Sequence, residues 1–355
     1  MKIIHTADLH LDSPLTARLG QDKIRQRKRE LLASFRRTVE LASKEYASAV
    51  IIAGDLFDTE KVTRTTLESF ISLINSTPNI TYFYLFGNHE GSTLENSGLI
   101  LPKNLKLFGK DWTYYRIDDV VIAGRVTTEE NMFSTLSLDP TRRNVVILHG
   151  ELADKSGEDG RIGKSELAAQ PIDYVALGHY HSYTKTVLNE RTVAVYPGVP
   201  EGRGFDETGE KGVVMLDISA SGVKSELIPT AERKLYICEV DVSGARTAYE
   251  VEMAVENVTC TISSRDIVRT VLKGERELEC RMPTDSINAH FAHKFYYFEC
   301  RDNTRVRINA EDFALDKTLK GEFIRGVMQD ESLSPEMKER VIALGVRALI
   351  GEEID

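Results

Sequence analysis

Five short apolar segments, each ending in a turn that carries Asp, His or Asn, constrain this sequence more than any other feature. They are KIIHTADLH at 2–10, SAVIIAGDLFD at 48–58, ITYFYLFGNHE at 80–90, NVVILHG at 144–150 and DYVALGHYH at 173–181. Each segment is rich in Val, Ile, Tyr or Phe and is broken by Gly or a polar turn, which is typical of strands buried on both faces. The pattern therefore predicts five strands of a covered sheet.

Helical periodicity appears between these strands. Apolar side chains recur every three to four positions in residues 22–46, and a second helix is predicted over 63–75. Strands that alternate with helices predict an α/β fold, in which ligands bind beyond the carboxyl ends of the strands. The polar side chains of the five turns are expected to meet there.

The side chains at these turns offer carboxylate, amide and imidazole donors but no thiolate. They are Asp8, His10, Asp55, Asn88, His149, His179 and His181. This set suits Mn²⁺, Fe²⁺ or Zn²⁺, whereas a Ca²⁺ site is built from oxygens. Seven donors are too many for one catalytic ion with an open position and fit two ions that share a bridging carboxylate. A single D-x-H or H-x-H is better explained by a turn or a packed core histidine, but five together favour metal binding.

The remaining histidines and the cysteines have structural interpretations. His5 lies within the first predicted strand, so we expect a packed and hydrogen-bonded side chain, and we expect His290 and His293 at the surface. The cysteines lie about twenty residues apart without a CxxC pair, which favours structural thiols over a zinc or disulfide framework. They are Cys238, Cys260, Cys280 and Cys300.

The blocks D-x-H, G-D-x-x-D, G-N-H-E, H-G and G-H-x-H, in this order, resemble the signature of calcineurin-like metallophosphoesterases. The resemblance implies a sandwich of two β-sheets flanked by helices. It also implies that His89 is the catalytic histidine and that Asp58 orients it. Two metal sites are implied, with Asp55 as the bridge: Asp8, His10, Asp55 and His181 in one, and Asp55, Asn88, His149 and His179 in the other.

The resemblance implies a reaction without a protein nucleophile. A hydroxide that bridges the two divalent ions attacks the phosphodiester in line, because two cations lower the pKa of bound water. His89 then stabilises charge in the transition state or protonates the leaving oxygen. We predict Mn²⁺ as the metal, with Fe²⁺ and Zn²⁺ as alternatives.

The sequence around the blocks narrows the substrate. HTADLHLDSPL, AGDLFD, FGNHE, and GHYHS followed by YPGVPEGRGF resemble bacterial DNA repair exonucleases related to the SbcD nuclease subunit, over about residues 1–230. Several archaeal members carry a second histidine where this chain has Asp58, so the role of that histidine is not transferred. The predicted function is a two-metal DNA exo/endonuclease. The alternatives are a phosphoesterase for small nucleotides or phosphoproteins, and an inert subunit of an ATPase complex.

The charge of the chain limits how it contacts nucleic acid. A formal net charge of −10 argues against bulk electrostatic binding, so contacts with DNA must be local. Arg203, in the glycine-rich loop 198–212, is a candidate phosphate contact, and 156–168 is a second candidate rim; an ordinary surface loop is the alternative. A basic cluster fits a solvated helix face, which we favour, or a DNA-facing patch. Its members are Arg18, Lys23, Arg25, Arg27, Lys28, Arg29, Arg36 and Arg37.

Three regions are predicted: a metallophosphoesterase (nuclease) domain at 1–230, a small α+β cap domain at 233–312, and a C-terminal helical tail at 313–355. In the tail, Ser334 and Pro335 form a helix start. The tail helices either cover the cap domain's own core or, as the resemblance implies, dock on the coiled coil of an SMC-like ATPase. A homodimer is also implied. No G-x-x-x-x-G-K-[ST] motif occurs, so an ATP-driven step would need another polypeptide.

The first residues, MKIIHTADLH, place a polar turn where a signal peptide has its apolar core. The sequence also contains no apolar run near the roughly 18 residues that cross a membrane. We therefore expect a cytoplasmic protein without a membrane segment.

Replacing His89 with Ala is expected to abolish phosphodiester cleavage and to leave metal binding intact. The reason is that His89 is assigned to transition-state charge or to the leaving group rather than to a metal. Turnover of a phosphodiester and a parallel metal titration measure the two properties. Unchanged turnover would contradict the assignment.

Overall fold

The computed structural model describes residues 1–13, 20–58, 62–87, 93–126, 128–277, 280–307 and 316–349, without the side chains of Glu95 and Arg347. The chain divides into two compact units, Met1–Lys234 and Leu235–Asp355. Across the described ranges, no helix is both long enough and apolar enough to cross a membrane. The predicted boundaries 1–230, 233–312 and 313–355, and the roles attached to them, stay predictions.

The first unit alternates strands and helices over residues 2–85 and consists mainly of strands after that. Its strands are β1 (Lys2–Thr6), β2 (Ala49–Ala53), β3 (Thr81–Leu85), β4 (Leu105–Leu107), β5 (Thr113–Ile117), β6 (Val120–Gly124), β7 (Arg143–His149), β8 (Glu151–Ala153), β9 (Arg161–Gly163), β10 (Tyr174–Gly178), β11 (Thr184–Val187), β12 (Val193–Tyr196), β13 (Gly212–Ser219) and β14 (Gly222–Pro229). Its α-helices are α1 (Gln21–Lys44), α2 (Arg64–Asn75) and α3 (Lys164–Ala168).

Two sheets form a sandwich in this unit. Among the described residues, one has the strand order β14-β13-β1-β2-β3-β4 and the other β11-β12-β10-β7-β6-β5. Strands β1, β2 and β3 are parallel neighbours, and so are β6, β7 and β10. The registers pair Ile4 with Val50 and Leu148 with Leu177. The five predicted strands are thus central strands that end in the same direction within each sheet.

Alternation of side chains along each strand separates three apolar layers. Ile51 and Val145 lie between the two sheets. Val50 faces the other way and packs with Phe35 of α1 and Phe70 of α2. A third layer covers the outer face of the second sheet and includes α3. Because both faces of the central strands are buried, these strands read as continuous apolar runs in the sequence.

The second unit is smaller and mixes helices with strands. Its elements are β15 (Leu235–Asp241), α4 (Ala248–Thr259), β16 (Ile267–Lys273), β17 (Glu275–Glu277), α5 (Thr284–Phe291), β18 (Tyr297–Asp302), β19 (Arg305–Arg307), α6 (Leu319–Gln329) and α7 (Pro335–Leu349). Strands β15, β16 and β18 are parallel, so a crossover through α4 or α5 joins each pair. Ile324 of α6 packs against Ile342 and Val346 of α7, and the Ser334 hydroxyl accepts a hydrogen bond from the Met337 N–H, as predicted for a helix start.

Candidate metal centre

The candidate centre lies where parallel strands of both sheets end. Asp8 and His10 follow β1, and Asp55 follows the neighbouring strand β2. His149 is the last residue of β7, and His179 follows the neighbouring strand β10. Each sheet therefore contributes donors from two adjacent strands, as the sequence predicted for the carboxyl edge of an α/β sheet.

The turns that carry these donors have unusual backbone conformations. Asp8, His10 and Asp55 have φ values of 51°, 45° and 48°, and His179 has 113°. Positive φ is uncommon outside glycine and marks local strain that the surroundings must stabilise. The stabilising contacts are backbone hydrogen bonds between the two turns of the first sheet, including Asp8 N–H to the Gly54 carbonyl at 3.1 Å and His10 N–H to the Asp55 carbonyl at 3.0 Å.

Two glycines allow the sheets to approach at this edge. A Cβ on Gly54, whose φ is 87°, would lie 2.1 Å from His149 Nδ1. A Cβ on Gly178 would lie 1.8 Å from the Ala53 carbonyl oxygen. In both cases the glycine and the atom that it would contact belong to opposite sheets. A side chain at either position would therefore collide with the opposite sheet.

Five of the predicted donors form two overlapping groups. Donor atoms of Asp8, His10 and His181 all lie within 4.8 Å of one another, and the same holds for Asp8, Asp55 and His149. All are buried except His181, which is half-buried. Asp8 belongs to both groups. The Asp55 oxygen Oδ2 lies 4.0 Å from His10 Nε2 and 3.4 Å from His149 Nε2, so this carboxylate reaches one imidazole of each group.

The His149 imidazole is oriented by the opposite sheet. Its Nδ1 lies 3.0 Å from the Ala53 carbonyl oxygen, and because a carbonyl can only accept, Nδ1 donates. The other ring nitrogen, Nε2, is buried and lies 3.4 Å from Asp55 Oδ2. A metal-binding histidine usually donates one ring N–H to a carbonyl or carboxylate, which leaves its other nitrogen for the ion.

Carboxylates lie close to the Nδ1 atoms of His10 and His181. His10 Nδ1 lies 2.9 Å from an Asp58 oxygen, and His181 Nδ1 lies 2.8 Å from a Glu207 oxygen. Their Nε2 atoms point toward each other at 3.2 Å. Glu207 is itself buried, and although burial raises its pKa, His181 and Arg203 lower it to about 2.

The charges of the centre favour a bound cation. Burial, with a smaller contribution from Asp55, outweighs the opposing effect of His149 and raises the pKa of Asp8 to about 7. Burial lowers the pKa of His149, but the carboxylates of Asp55 and Asp8 outweigh it and raise the value to about 9. The raised pKa of Asp8 reflects the cost of burying its charge, and the raised pKa of His149 reflects the nearby carboxylates; a divalent cation would offset that cost and neutralise those carboxylates. The nitrogen and oxygen donors present therefore fit a metal centre.

The other predicted residues have different positions in the structure, and two of them are not described. His179 belongs to neither group: its backbone N–H donates to both Asp8 oxygens at 3.0 and 3.1 Å, and its ring centre lies 5.6 Å from that of His149. Asn88 and His89 lie outside the described residues. His5 is a packed core histidine as predicted, with Nδ1 2.9 Å from the Tyr174 hydroxyl and a pKa that burial lowers to about 3.

The predicted substrate contacts prove to be engaged within the protein. Arg203 donates to Asp58 at 3.1 Å and to Glu207 at 2.8 Å, and only 18% of its side chain is exposed. In the basic cluster, Arg27 is buried and paired with Glu201, whereas Arg25, Arg29 and Arg36 are exposed. Arg18 lies outside the described residues. The cluster is therefore divided between the interior and an exposed helix face.

Sequence reasoning missed Glu207 and Glu201. Both side chains are buried, with 0–2% exposed. They lie in an irregular loop where neither helical nor strand periodicity marks a buried position. The segment YPGVPEGRGF, which carries part of the resemblance, ends two residues before Glu207. The sequence around Glu207 does not indicate that its partner is His181, because the two residues are distant along the chain.

A dinuclear centre at the carboxyl ends of a two-sheet sandwich is typical of metal-dependent phosphoesterases. Residues 1–183 match the calcineurin-like phosphoesterase family, and this match spans just over half of the 355 residues. The chain therefore belongs to this family, whose members use a dinuclear metal site, and the family and fold predicted from the sequence are confirmed.

Three relatives are similar to this chain over about two thirds or more of its length. The uncharacterized metallophosphoesterase YhaO of Bacillus subtilis is 26% identical over 297 residues, which are 77% of this chain and 72% of YhaO. The DNA double-strand break repair protein Mre11 of Aeropyrum pernix is 24% identical over 78% of this chain and 74% of its own. The SbcD subunit of the nuclease SbcCD of Staphylococcus epidermidis is 26% identical over 68% of this chain and 73% of its own.

Replacing Gly54 with Ala is expected to weaken Mn²⁺ binding by about 10- to 100-fold, because the new methyl group displaces the His149 ring from its backbone acceptor. Isothermal titration calorimetry measures the affinity. Gly98→Ala is the matched control: Gly98 also has a positive φ, of 69°, but nothing lies within 4 Å of the added carbon. Equal affinities for the two variants would show that clearance at Gly54 does not matter.

Proposed function

We propose that this chain is a two-metal phosphodiesterase that cleaves DNA. The observation that carries the proposal is the pair of donor groups that share buried Asp8, with Asp55 within reach of an imidazole in each. A paired arrangement of this kind suits phosphoryl transfer, where two cations stabilise the attacking and leaving oxygens. The family membership supports hydrolysis of phosphoesters.

The proposed metal ligands are those that the resemblance implies; they include all five residues of the two groups, in which Asp8 is the shared member. One Mn²⁺ would be held by Asp8, His10, Asp55 and His181, and the other by Asp55, Asn88, His149 and His179, with Asp55 in both sets. When bound, the ions supply an activated water and neutralise charge on the phosphoryl oxygens. Fe²⁺ and Zn²⁺ suit the same donors.

The protein's own groups act by orientation and by proton transfer. Ala53 fixes the His149 ring, and the His179 N–H clamps Asp8, so the donors are held before substrate arrives. Such pre-organisation removes a reorganisation cost from the reaction. His89 is proposed to protonate the leaving oxygen or to stabilise charge in the transition state. Asp58 is proposed to orient His89, in addition to its observed contact with His10.

The relatives support DNA as the substrate. Mre11 of Aeropyrum pernix is named as a DNA double-strand break repair protein and the SbcD relative of Staphylococcus epidermidis as part of a nuclease, and the similarity to Mre11 covers 78% of this chain. That coverage exceeds the region of the family match at residues 1–183. A phosphoesterase for small nucleotides or phosphoproteins would have the same metal centre, so only the substrate test separates the two.

We also propose that the chain works with an SMC-like coiled-coil ATPase and as a homodimer. A relative named as a subunit of a nuclease supports a partner, and the sequence contains no P-loop motif of its own. On α7, Ile342 and Val346 pack against α6, whereas Met337, Leu344 and Leu349 are exposed. The exposed side chains are available for a partner helix.

End-labelled linear DNA incubated with the purified chain and Mn²⁺ is expected to be shortened, and a chelator is expected to stop the reaction. Hydrolysis of bis(p-nitrophenyl) phosphate is followed in parallel. Asp55→Asn, prepared identically, excludes a contaminating nuclease, because loss of the shared carboxylate is expected to lower both activities by more than about 100-fold.

The two substrates separate the possible outcomes. Metal-dependent shortening of DNA that is absent from Asp55→Asn supports the proposed nuclease. Hydrolysis of the small diester with the DNA left intact would overturn DNA as a substrate of the chain alone and would leave the metal centre standing. Hydrolysis of neither substrate would overturn the phosphodiesterase itself.

A further inference from the structure

The loop 201–207, between β12 and β13, supplies none of the predicted metal ligands. It contacts one of them, His181, directly and a second, His10, through Asp58. It contains three charged side chains that are wholly or largely buried: Glu201, Arg203 and Glu207. Buried charges are retained in proteins when they are paired and hydrogen-bonded. Their partners lie both at the metal centre and on α1.

At the end of the loop, Glu207 holds His181. Its oxygen Oε1 lies 2.8 Å from His181 Nδ1 and accepts a hydrogen bond from Arg203 Nη2 at 2.8 Å. Its other oxygen, Oε2, accepts from the Arg203 backbone N–H at 2.6 Å. The Arg203 guanidinium also lies 3.3 Å from His181 Nδ1. The carboxylate is the nearer group and can only accept, which favours a proton on Nδ1 and leaves Nε2 for a metal.

Arg203 links this arrangement to the second histidine. Its Nη1 donates to Asp58 Oδ1 at 3.1 Å, and the same oxygen lies 2.9 Å from His10 Nδ1. One guanidinium thus joins two carboxylates, each of which faces the outer nitrogen of one imidazole. The planar fork of Arg, unlike the single ammonium of Lys, can bind two acceptors in a fixed geometry.

The beginning of the loop is anchored to the body of the first unit through Glu201. One oxygen accepts from Arg27 of α1 at 3.1 Å, and the other accepts from Arg37 of α1 at 2.7 Å and from the Glu232 backbone N–H at 2.6 Å. The carboxylate is fully buried and thus fixes the loop to a helix of the core. The loop that carries Arg203 and Glu207 is therefore fixed at its beginning to a helix of the first unit.

We propose that Glu207 and Arg203 are positioning residues that set the directions of His181 and, through Asp58, of His10 toward a bound metal. This inference rests on the proposed metal centre and is independent of DNA as the substrate. Groups that orient metal-binding histidines typically change metal affinity by about 10- to 100-fold when they are removed. An ion cluster that only stabilised the fold would not change metal affinity in the folded protein.

Mn²⁺ titration by calorimetry, at one pH and without substrate, tests the proposal. Glu207→Ala is expected to bind Mn²⁺ about 10- to 100-fold more weakly than the wild type. Glu207→Gln is expected to bind Mn²⁺ more tightly than Glu207→Ala, because its amide oxygen still accepts from His181 Nδ1–H, although its NH2 group cannot accept from the Arg203 backbone N–H. Asp206→Asn is the matched control, since Asp206 is an exposed acidic residue of the same loop, and it is expected to bind normally.

A spectroscopic signature complements the affinities. The visible absorption of bound Co²⁺ reports coordination geometry and is expected to change in Glu207→Ala and to be restored in Glu207→Gln. Unfolding midpoints of all variants are measured together. Wild-type affinity in folded Glu207→Ala would overturn the proposal, and so would equal losses of affinity and of stability in Glu207→Ala and Glu207→Gln.

Arg203→Lys keeps the test decisive if Glu207→Ala does not fold. Lysine keeps the positive charge but cannot join both carboxylates, so a roughly tenfold loss of Mn²⁺ affinity is expected, and an unchanged affinity would overturn the proposal. A wild-type chain that binds Mn²⁺ but leaves DNA intact would contradict the proposed substrate alone. Failure of the two proposals is therefore distinguishable.

Discussion

The burial of two carboxylates at the edge between two sheets is the constraint on which the rest of the site depends. Asp8 and Asp55 are only 1% and 3% exposed, and a buried charge is strongly unfavourable unless other groups compensate for it. Three imidazoles, the His179 N–H and, when present, the metal ions provide that compensation. The left-handed turns bring the carboxylates inward, and the glycines let the opposite sheet come close enough to face them.

Much of the fold could be predicted because the signals are local. The run of apolar residues before Asp55 predicted a strand, and β2 ends at Ala53, two residues before the donor. The helix predicted over 22–46 corresponds to α1 at Gln21–Lys44, because its apolar positions repeat with the helical period. Strand ends are also where donors meet in an α/β sheet, so the assembly of Asp8, His10, Asp55 and His149 followed from the pattern.

What the sequence could not predict depends on pairs that are distant along the chain. Arg27 lies in a basic stretch that reads as a solvated face, yet its partner Glu201 lies 174 residues away and draws it into the interior. Arg203 and Asp58 are separated by 145 residues, and no periodic pattern links them. A charged side chain can be buried when an oppositely charged side chain lies next to it. The topology of the two sheets decides which residues become neighbours in this way.

The register of the parallel strands determines where each donor lies at the end of its strand. Because Ile4 pairs with Val50 and Leu148 with Leu177, each donor is placed by counting residues from a fixed level in its sheet. Substitutions within the apolar layers keep that count, whereas a single inserted residue would reverse the facing of every side chain beyond it. Many substitutions within the apolar layers can therefore leave the donors in place, whereas a change of length would do so only in a loop outside the paired strands.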